Sequence, residues 1–480
     1  MMKRQILILC LALCTAAQAQ TTALETFLAQ PALRYAGTGV YVKNMQTGEV
    51  IADWHSDQLL TPASTQKLLT SATALELLGS AFRFSTYVET DGEVREGVLH
   101  GNLYIRGTGD PTLGSQKVGD QMFLYKWVQA LRRAGISRIE GSVVADASFF
   151  DGDALNPQWL WEDIGNYYAP GIYALPYLDN TLNIQLRSAA VGSVAEVVKT
   201  LPYIEGLEYE NHIRCTTITY DGAYVHGVPY SNRRYLVGSI PSNHGIFGVK
   251  GDIPNPPLLL AQHLTQRLRE SGITVTGEAD YLTESLYPQR HVLYEHRSEP
   301  LAEIVRELNV NSNNLYAEQL FRYLGSRMGV PCTIQGSVDV LRNCWRNRGV
   351  DIHNSLIMDG CGLSPNDGVS AQTLVQLLSF MLHSRERDAF VGSLPVAGES
   401  GTLQGFLAKT ELQGRVTAKS GTTSRVKSYA GYITLDDGML LGFAVIVNNA
   451  ACKPRGVQTL IERLLRGICS EQKEKQKEQP

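Results

Sequence analysis

Ser64 and Lys67 stand three residues apart in the run Thr61-Pro62-Ala63-Ser64-Thr65-Gln66-Lys67, and that spacing permits a specific chemistry. On a helix, positions three apart share a face, so a hydroxyl and an amine can meet. A serine hydroxyl attacks a carbonyl only when a base takes its proton. An uncharged lysine is such a base once burial or a neighbouring cation lowers its pKa. The element that must hold the pair is readable: Leu68, Leu69, Ala72, Leu75 and Leu78 recur at helical spacing, Pro62 suits a first turn and Gly79 a stop. A helix N-terminus beneath the serine would favour the negative charge that develops in acyl transfer. Alone the pair is a weak signal, because Ser424/Lys427 and Ser470/Lys473 repeat the spacing, and surface serine and lysine are the default.

Two further motifs follow in order. Ser312-Asn313-Asn314 falls between helical patterns at 299–308 and 314–324. Ser364-Pro365-Asn366 has the same outline, but its proline and loop composition disfavour a fixed catalytic position. Lys419-Ser420-Gly421 has no rival, since Lys409-Thr410 runs into Glu411. It precedes an expected hairpin, strands 429–435 and 440–447 about Asp436-Asp437-Gly438, where a strand could line a cleft.

The chain of 480 residues, 44% hydrophobic, is too long for one ordinary core and suggests two or three domains. A net charge of −4 argues against nucleic-acid or polybasic membrane partners. Residues 1–19 have a short basic start (Lys3, Arg4), an apolar run and Ala17-Gln18-Ala19, the pattern of a cleaved secretory signal. This predicts export to the periplasm and at most peripheral membrane association. Beyond it lie six cysteines, whose spacing fits no zinc pattern; the histidines are scattered. Cys332–Cys344 and Cys452–Cys469 are the local pairings an exported chain would suggest. No metal or organic cofactor is called for.

Strands are expected at 39–42 and 50–54, then from about 84 to 290 many short alternating segments, including 98–106 and 141–145, with helices at 122–134 and 257–271. Gly107-x-Gly109 lacks the third glycine of a dinucleotide loop. Helices return at 299–308, 314–324 and 334–348. An amphipathic helix at 456–468 is followed by a charged, disordered tail, 470–480.

The ordered set Ser-x-x-Lys, Ser-x-Asn and Lys-Ser-Gly is that of class A β-lactamases and penicillin-binding proteins. The chain resembles the low-molecular-mass class C penicillin-binding proteins, the D-alanyl-D-alanine carboxypeptidase/endopeptidase family. The likeness runs from about 37 to 450 through Arg106-Gly107-Thr108-Gly109-Asp110-Pro111-Thr112, Val144-Ala145-Asp146, Asp359-Gly360-Cys361-Gly362-Leu363-Ser364, Ser393 to Gly398, and Gly401-Thr402-Leu403. It implies an α/β (α+β) transpeptidase-like domain, 20–85 and 291–469, interrupted by β-rich inserted domains at 86–290, one nested in the other.

The resemblance also implies roles. Ser64 would attack the carbonyl between two terminal D-alanines of a peptidoglycan stem peptide, with Lys67 as its base. Ser312 would pass a proton to the leaving amine, and Asn314 would hold Lys67 or the substrate amide. Lys419 would keep Lys67 neutral and attract the terminal carboxylate, which Ser420, Gly421 and Thr422 would bind. The N–H groups of Ser64 and Thr422 would form an oxyanion hole, worth about 3–4 kcal/mol per donor in other enzymes. Asp146 resembles an insert aspartate that approaches the cleft; a turn aspartate is the equal alternative. β-Lactams would be covalent inhibitors, and a homodimer is left open. Two departures stand out: Asn313 replaces the usual aspartate, and Pro365 occupies the position where relatives carry an arginine for the third stem residue. The rival readings are a β-lactamase-like hydrolase, usually much shorter, and a penicillin-binding sensor or peptidoglycan-binding module that does not turn over.

Overall fold

The computed structural model describes residues 21–151, 153–284, 289–329 and 332–477. The expected signal segment, 1–19, lies outside them. The chain divides into two compact units, one of residues 1–65, 368–380 and 395–480, the other of residues 66–367 and 381–394.

The first unit is built on a five-stranded antiparallel sheet in the order Val416–Thr422, Val426–Thr434, Leu440–Asn448, Gly37–Asn44, Val50–Trp54. Val426–Thr434 and Leu440–Asn448 are buried along almost their whole length, so both faces are covered, and the second reads as a nearly continuous apolar run rather than alternation. Helices Thr22–Leu28 and Pro454–Lys477 contribute Leu24, Phe27, Val457, Ile461, Leu464 and Ile468 to its core, and Tyr432 anchors the sheet by donating its hydroxyl to the Leu378 carbonyl at 2.8 Å.

In the second unit, helices Lys67–Leu78, Leu301–Val310, Asn314–Leu324 and Ile334–Trp345 pack together through Leu68, Leu75, Val305, Leu320 and Leu341. The buried Trp345 indole donates to Thr73 at 2.8 Å, so this large ring leaves no unpaired N–H at the helix contact. The segment between the first two of these helices is sheet-rich. Its entry and exit strands, Ser85–Thr90 and His291–Arg297, pair antiparallel inside a mixed five-stranded sheet. Between Val143–Asp146 of that sheet and helix Pro256–Glu270, the chain makes two separate sheets, one around Thr181–Ser188 and one around Arg233–Pro241. A buried ion pair between Arg234 and Asp252, 2.8 Å, ties these two together.

Four expectations are corrected. The strand expected at 98–106 is two, Val98–His100 and Leu103–Arg106, because Asp91 takes the Asn102 N–H at 2.6 Å and turns the chain between sheets. All six cysteines of the described residues are free. Cys344 lies 11 residues beyond the helix cap Thr333, and Cys469 15 residues into the helix starting at Pro454. At about 1.5 Å rise per residue both separations far exceed the roughly 7 Å limit between bridged Cα atoms. The tail is not disordered through 477: the last helix runs on to Lys477. Its extension is held, with Gln472 buried, Glu471 accepting the Ala23 N–H at 2.7 Å, and Lys473 pairing with Asp436 at 2.6 Å. The sequence also hides the helix Ala371–Leu382, whose run of leucines lacks a polar stripe.

Truncation after Ile468 therefore removes real contacts. It should destabilise the protein by about 2 kcal/mol, the weight of a charge-assisted hydrogen bond plus lost packing. Differential scanning calorimetry should show the midpoint fall by about 2 °C; an unchanged midpoint would mean the extension carries no load.

Candidate active site

Within the first unit, Ser64 lies in a 3-10 turn, Ala63–Gln66, not on the helix itself, which begins at Lys67. It is half-buried between two buried neighbours, Ala63 and Thr65. Ala63 has φ +47°, a left-handed conformation costly for a residue with a Cβ. The turn is held against the sheet by the Pro62 carbonyl, which accepts from Thr65 at 2.7 Å and from Ser428 at 2.6 Å.

Strand Val416–Thr422 runs past this turn, and glycine is what lets it. A Cβ on Gly421 would lie 2.2 Å from Ser428 Oγ, 2.6 Å from the Pro62 oxygen and 3.0 Å from the Ser64 nitrogen. The Lys-Ser-Gly motif therefore packs backbone on backbone against the serine. Lys419 is buried and donates to the Ser420 carbonyl at 2.9 Å. Ser420 donates to Thr402 at 2.8 Å, and Thr422 lies exposed at the strand end. The adjacent strand adds Lys427, which pairs with Thr422 in register and donates to its hydroxyl at 2.8 Å. Burial pushes the Lys427 ammonium down to about 8, against the pull of Glu462. In the sequence Lys427 is only the second half of a competing Ser-x-x-Lys pair; its place opposite Thr422 depends on strand register.

Within the second unit, Lys67 is fully buried at the first position of its helix. Its Nζ donates to Asn314 Oδ1 at 2.6 Å and to the Cys361 carbonyl at 2.7 Å. Asn314 in turn donates to the Tyr168 carbonyl at 2.7 Å, which fixes its amide with the oxygen toward the lysine. Ser312 stands in the turn just before the Asn314 helix at φ +58°, a second strained non-glycine residue inside a motif.

The Cys361 carbonyl is aimed by a loop with a buried carboxylate at its centre. Asp359 accepts the N–H groups of Cys361, Gly362, Leu363 and Ser364 at 2.5–3.0 Å, and the Trp159 indole N–H at 2.9 Å. Glu318 accepts the Gly360 N–H at 2.7 Å. Burial pushes the Lys67 ammonium below its ordinary value, although Cys361, Asp359, Glu318 and Asp367 all pull the other way. That pull is weakened because burial, followed by Asp359, pushes Glu318 up to about 8, and burial drives Asp367 well up. Glu318 is then largely protonated at pH 7, so one negative charge fewer faces the amine. Glu318, Asp359 and Cys361 lie close enough to ligate an ion, but the two carboxylates are already engaged by N–H donors, so the cluster reads as the loop's internal scaffold.

Asp146 is held elsewhere in the unit. It ion-pairs with Arg290 at 2.6 Å and caps Ser148 at 3.0 Å, beside Glu89, which also binds Arg106. Ser64, Lys419, Ser420, Gly421 and Thr422 are thus brought together in one unit, and Lys67, Ser312 and Asn314 in the other. Sequence reasoning missed Asp359, Glu318, Tyr168 and Trp159 as supports; Asp359 was visible only within a stretch that resembles the family.

This arrangement belongs to a serine-type peptidase on a penicillin-binding fold. The chain is a member of the D-Ala-D-Ala carboxypeptidase 3 (S13) family, whose model matches residues 20–466. It is 27% identical over 417 residues to the D-alanyl-D-alanine carboxypeptidase DacB of Haemophilus influenzae, covering 85% of each chain. It is 30% identical over 459 residues to a D-alanyl-D-alanine carboxypeptidase of an Actinomadura species, covering 91% of this chain and 82% of that one. The crystal structure of penicillin-binding protein 4 from H. influenzae shares the fold, with TM-score 0.80 at 24% identity over 93% of this chain and 99% of that one.

Gly421→Ala tests the backbone contact. The methyl must displace Pro62 or Ser428, and with them the turn that carries Ser64. Acylation by a fluorescent penicillin should slow at least tenfold, with a stability loss of about 1–3 kcal/mol. Wild-type labelling would remove the contact's significance.

Proposed function

We propose that the chain cleaves the terminal D-Ala-D-Ala bond of peptidoglycan stem peptides through an acyl-enzyme on Ser64. The observation that carries this reading is the fully buried Lys67 amine, hydrogen-bonded to Asn314 and the Cys361 carbonyl and pushed toward neutrality by its burial. Lys67 takes the Ser64 proton as Oγ bonds to the carbonyl carbon. The Ser64 and Thr422 N–H groups receive the oxyanion. The proton passes by way of Ser312 to the departing D-alanine nitrogen, and the C–N bond breaks. Water then attacks the ester, with Lys67 again as base, and releases the shortened peptide.

Lys419, Ser420 and Thr422 receive the terminal carboxylate, and Lys427 orients the Thr422 hydroxyl while adding a second positive charge. The same acyl transfer on a D-alanyl cross-link would make the enzyme an endopeptidase as well, since the attacked carbonyl is chemically the same. Residues 86–290 are the inserted domains, and Pro365 leaves recognition of the third stem residue to another group. Export to the periplasm accords with such a substrate.

Purified protein should release D-alanine from a pentapeptide ending in D-Ala-D-Ala, and Ser64→Ala should abolish release and covalent penicillin labelling together. Labelling that survives in Ser64→Ala would overturn the nucleophile; labelling of the wild type without any turnover would favour a sensor. A cross-linked muropeptide dimer, followed by chromatography, reports the endopeptidase activity.

The pH profile has two limbs of known sign. The base must be neutral, so kcat/KM rises with pH through the lowered pKa of Lys67. The anion site needs its cations, so kcat/KM falls as pH passes about 8, where Lys427 loses its charge. Lys427→Met should raise KM by roughly tenfold, as one charge-assisted hydrogen bond would, and remove the fall near pH 8. An alkaline limb that persists unchanged in this variant would discard the role.

A further inference from the structure

The sheet formed by Glu208–Asn211, Arg233–Pro241, Arg214–Thr216 and Gly222–His226 is buried on one face only. Val225, Leu236 and Ile240 are fully buried on the inner side. The outer side, where alternation predicts small polar residues, carries aromatic rings instead. Tyr224 and His226 are two residues apart on one strand, and Tyr235 pairs in register with His226 on the next. The His226 ring stacks 6.3 Å from Tyr224 at 5°, 6.3 Å from Tyr235 at 29°, and 6.0 Å from Trp161 at 12°. Trp161 is 64% exposed, Tyr224 46% and Tyr235 41%. Single exposed aromatics need no explanation, but near-parallel rings gathered on one sheet face form a contiguous patch. Its rim is polar: Glu210 lies in register with Tyr235 and pairs with Arg233 at 3.0 Å.

The patch is joined to the surroundings of Lys67 by one short stretch of chain. Trp159 donates to Asp359, and the Tyr168 carbonyl accepts from Asn314. Between them Trp161 stacks on the sheet, and Asn166 accepts the Val225 N–H at 3.0 Å. The aromatic face and the loop that aims the Cys361 carbonyl thus share residues 159–168 as neighbours.

We propose that this aromatic face binds the glycan strand of peptidoglycan, the apolar C–H faces of its amino-sugar rings lying on Trp161, Tyr224 and Tyr235, with Glu210 and Arg233 meeting the hydroxyls and amides. The proposal rests on the reading of the chain as a peptidoglycan peptidase. A pyranose chain fits because it presents repeated flat apolar faces edged by polar groups, the same combination as the patch. Holding the polymer there would deliver its stem peptides locally and raise their effective concentration.

The test uses the full chain carrying Ser64→Ala and, as probe, glycan strands stripped of peptides by an amidase. Saturable binding, seen as a change in tryptophan emission and by co-sedimentation, is expected to weaken at least tenfold in Trp161→Ala/Tyr224→Ala and to be largely restored in Trp161→Phe/Tyr224→Phe. In the otherwise wild-type chain the alanine pair should leave penicillin labelling and soluble pentapeptide hydrolysis intact while slowing D-alanine release from whole sacculi. No binding by the parent chain, or binding indifferent to the alanine pair, overturns the proposal. So does a homodimer in solution that the alanine pair dissociates, because a second copy would then cover the face. Glycan binding without penicillin labelling would leave this site standing and sink the peptidase reading instead.

Discussion

An amine without access to water governs the second unit. Removing an ammonium from solvent costs several kcal/mol even after relaxation, so Lys67 must either shed its proton or gain close partners. It has two carbonyl acceptors, Asn314 Oδ1 and the Cys361 oxygen. Carbonyl oxygens can take the N–H bonds of a neutral amine, and the neutral amine keeps the lone pair that makes it a base. The surrounding acids would undo this if all were ionised. Burial holds Glu318 largely protonated near neutral pH and pushes Asp367 up, so the same desolvation that discharges the lysine also weakens two of the groups that would recharge it. The base and its neighbours are tuned by a single physical cause.

Such a site must be rigid, because a displacement of about 1 Å would break the hydrogen bonds of the amine to Asn314 and Cys361. The rigidity comes from saturation. Asp359 receives five N–H donors, which leaves its loop no alternative arrangement that satisfies a buried carboxylate as well. The first unit reaches the same end by different means. There the constraint is steric, with Gly421 removing the one atom that would separate its strand from the Ser64 turn. The left-handed Ala63 and Ser312 show that backbone strain of order 1–3 kcal/mol each is tolerated beside the reacting groups. Such strain persists only where the surrounding contacts over-determine it.

What could be read from the sequence follows from how local each signal is. The helix after Ser64, its stop at Gly79, the helix at Asn314 and the hairpin after Lys419 all rest on short-range periodicity and turn chemistry, and they stand within a few residues of expectation. Motif order was legible because it requires only types and spacing. The supports were not. Asp359 acts through five donors, one of them 200 residues away in sequence at Trp159. Lys427 gains its place only when Val416–Thr422 and Val426–Thr434 pair in a particular register. The extension of the last helix to Lys477 was hidden for the opposite reason: its charged composition suggests solvation, but Glu471 and Lys473 find partners in the tertiary structure and Gln472 is buried. The cysteine pairings failed because spacing in sequence says nothing about the length of helix between.

The long sheet-rich segment is more than an addition to the unit that holds Lys67. Asn156 donates to the Met358 carbonyl, Trp159 to Asp359, and Asn314 to the Tyr168 carbonyl. Three residues within thirteen of one another thus complete the hydrogen bonding of the loop and of the asparagine that hold the base. Without them Asp359 would lose a buried donor and Asn314 the acceptor that sets which way its amide faces. An asparagine turned the other way would present an NH2 group to the lysine, and a donor cannot satisfy a donor. The lysine's second acceptor would vanish, its burial would become far more costly, and its tendency to act as a base would change with it. The segment therefore carries part of the active-site electrostatics of this unit, through contacts that involve no reacting atom.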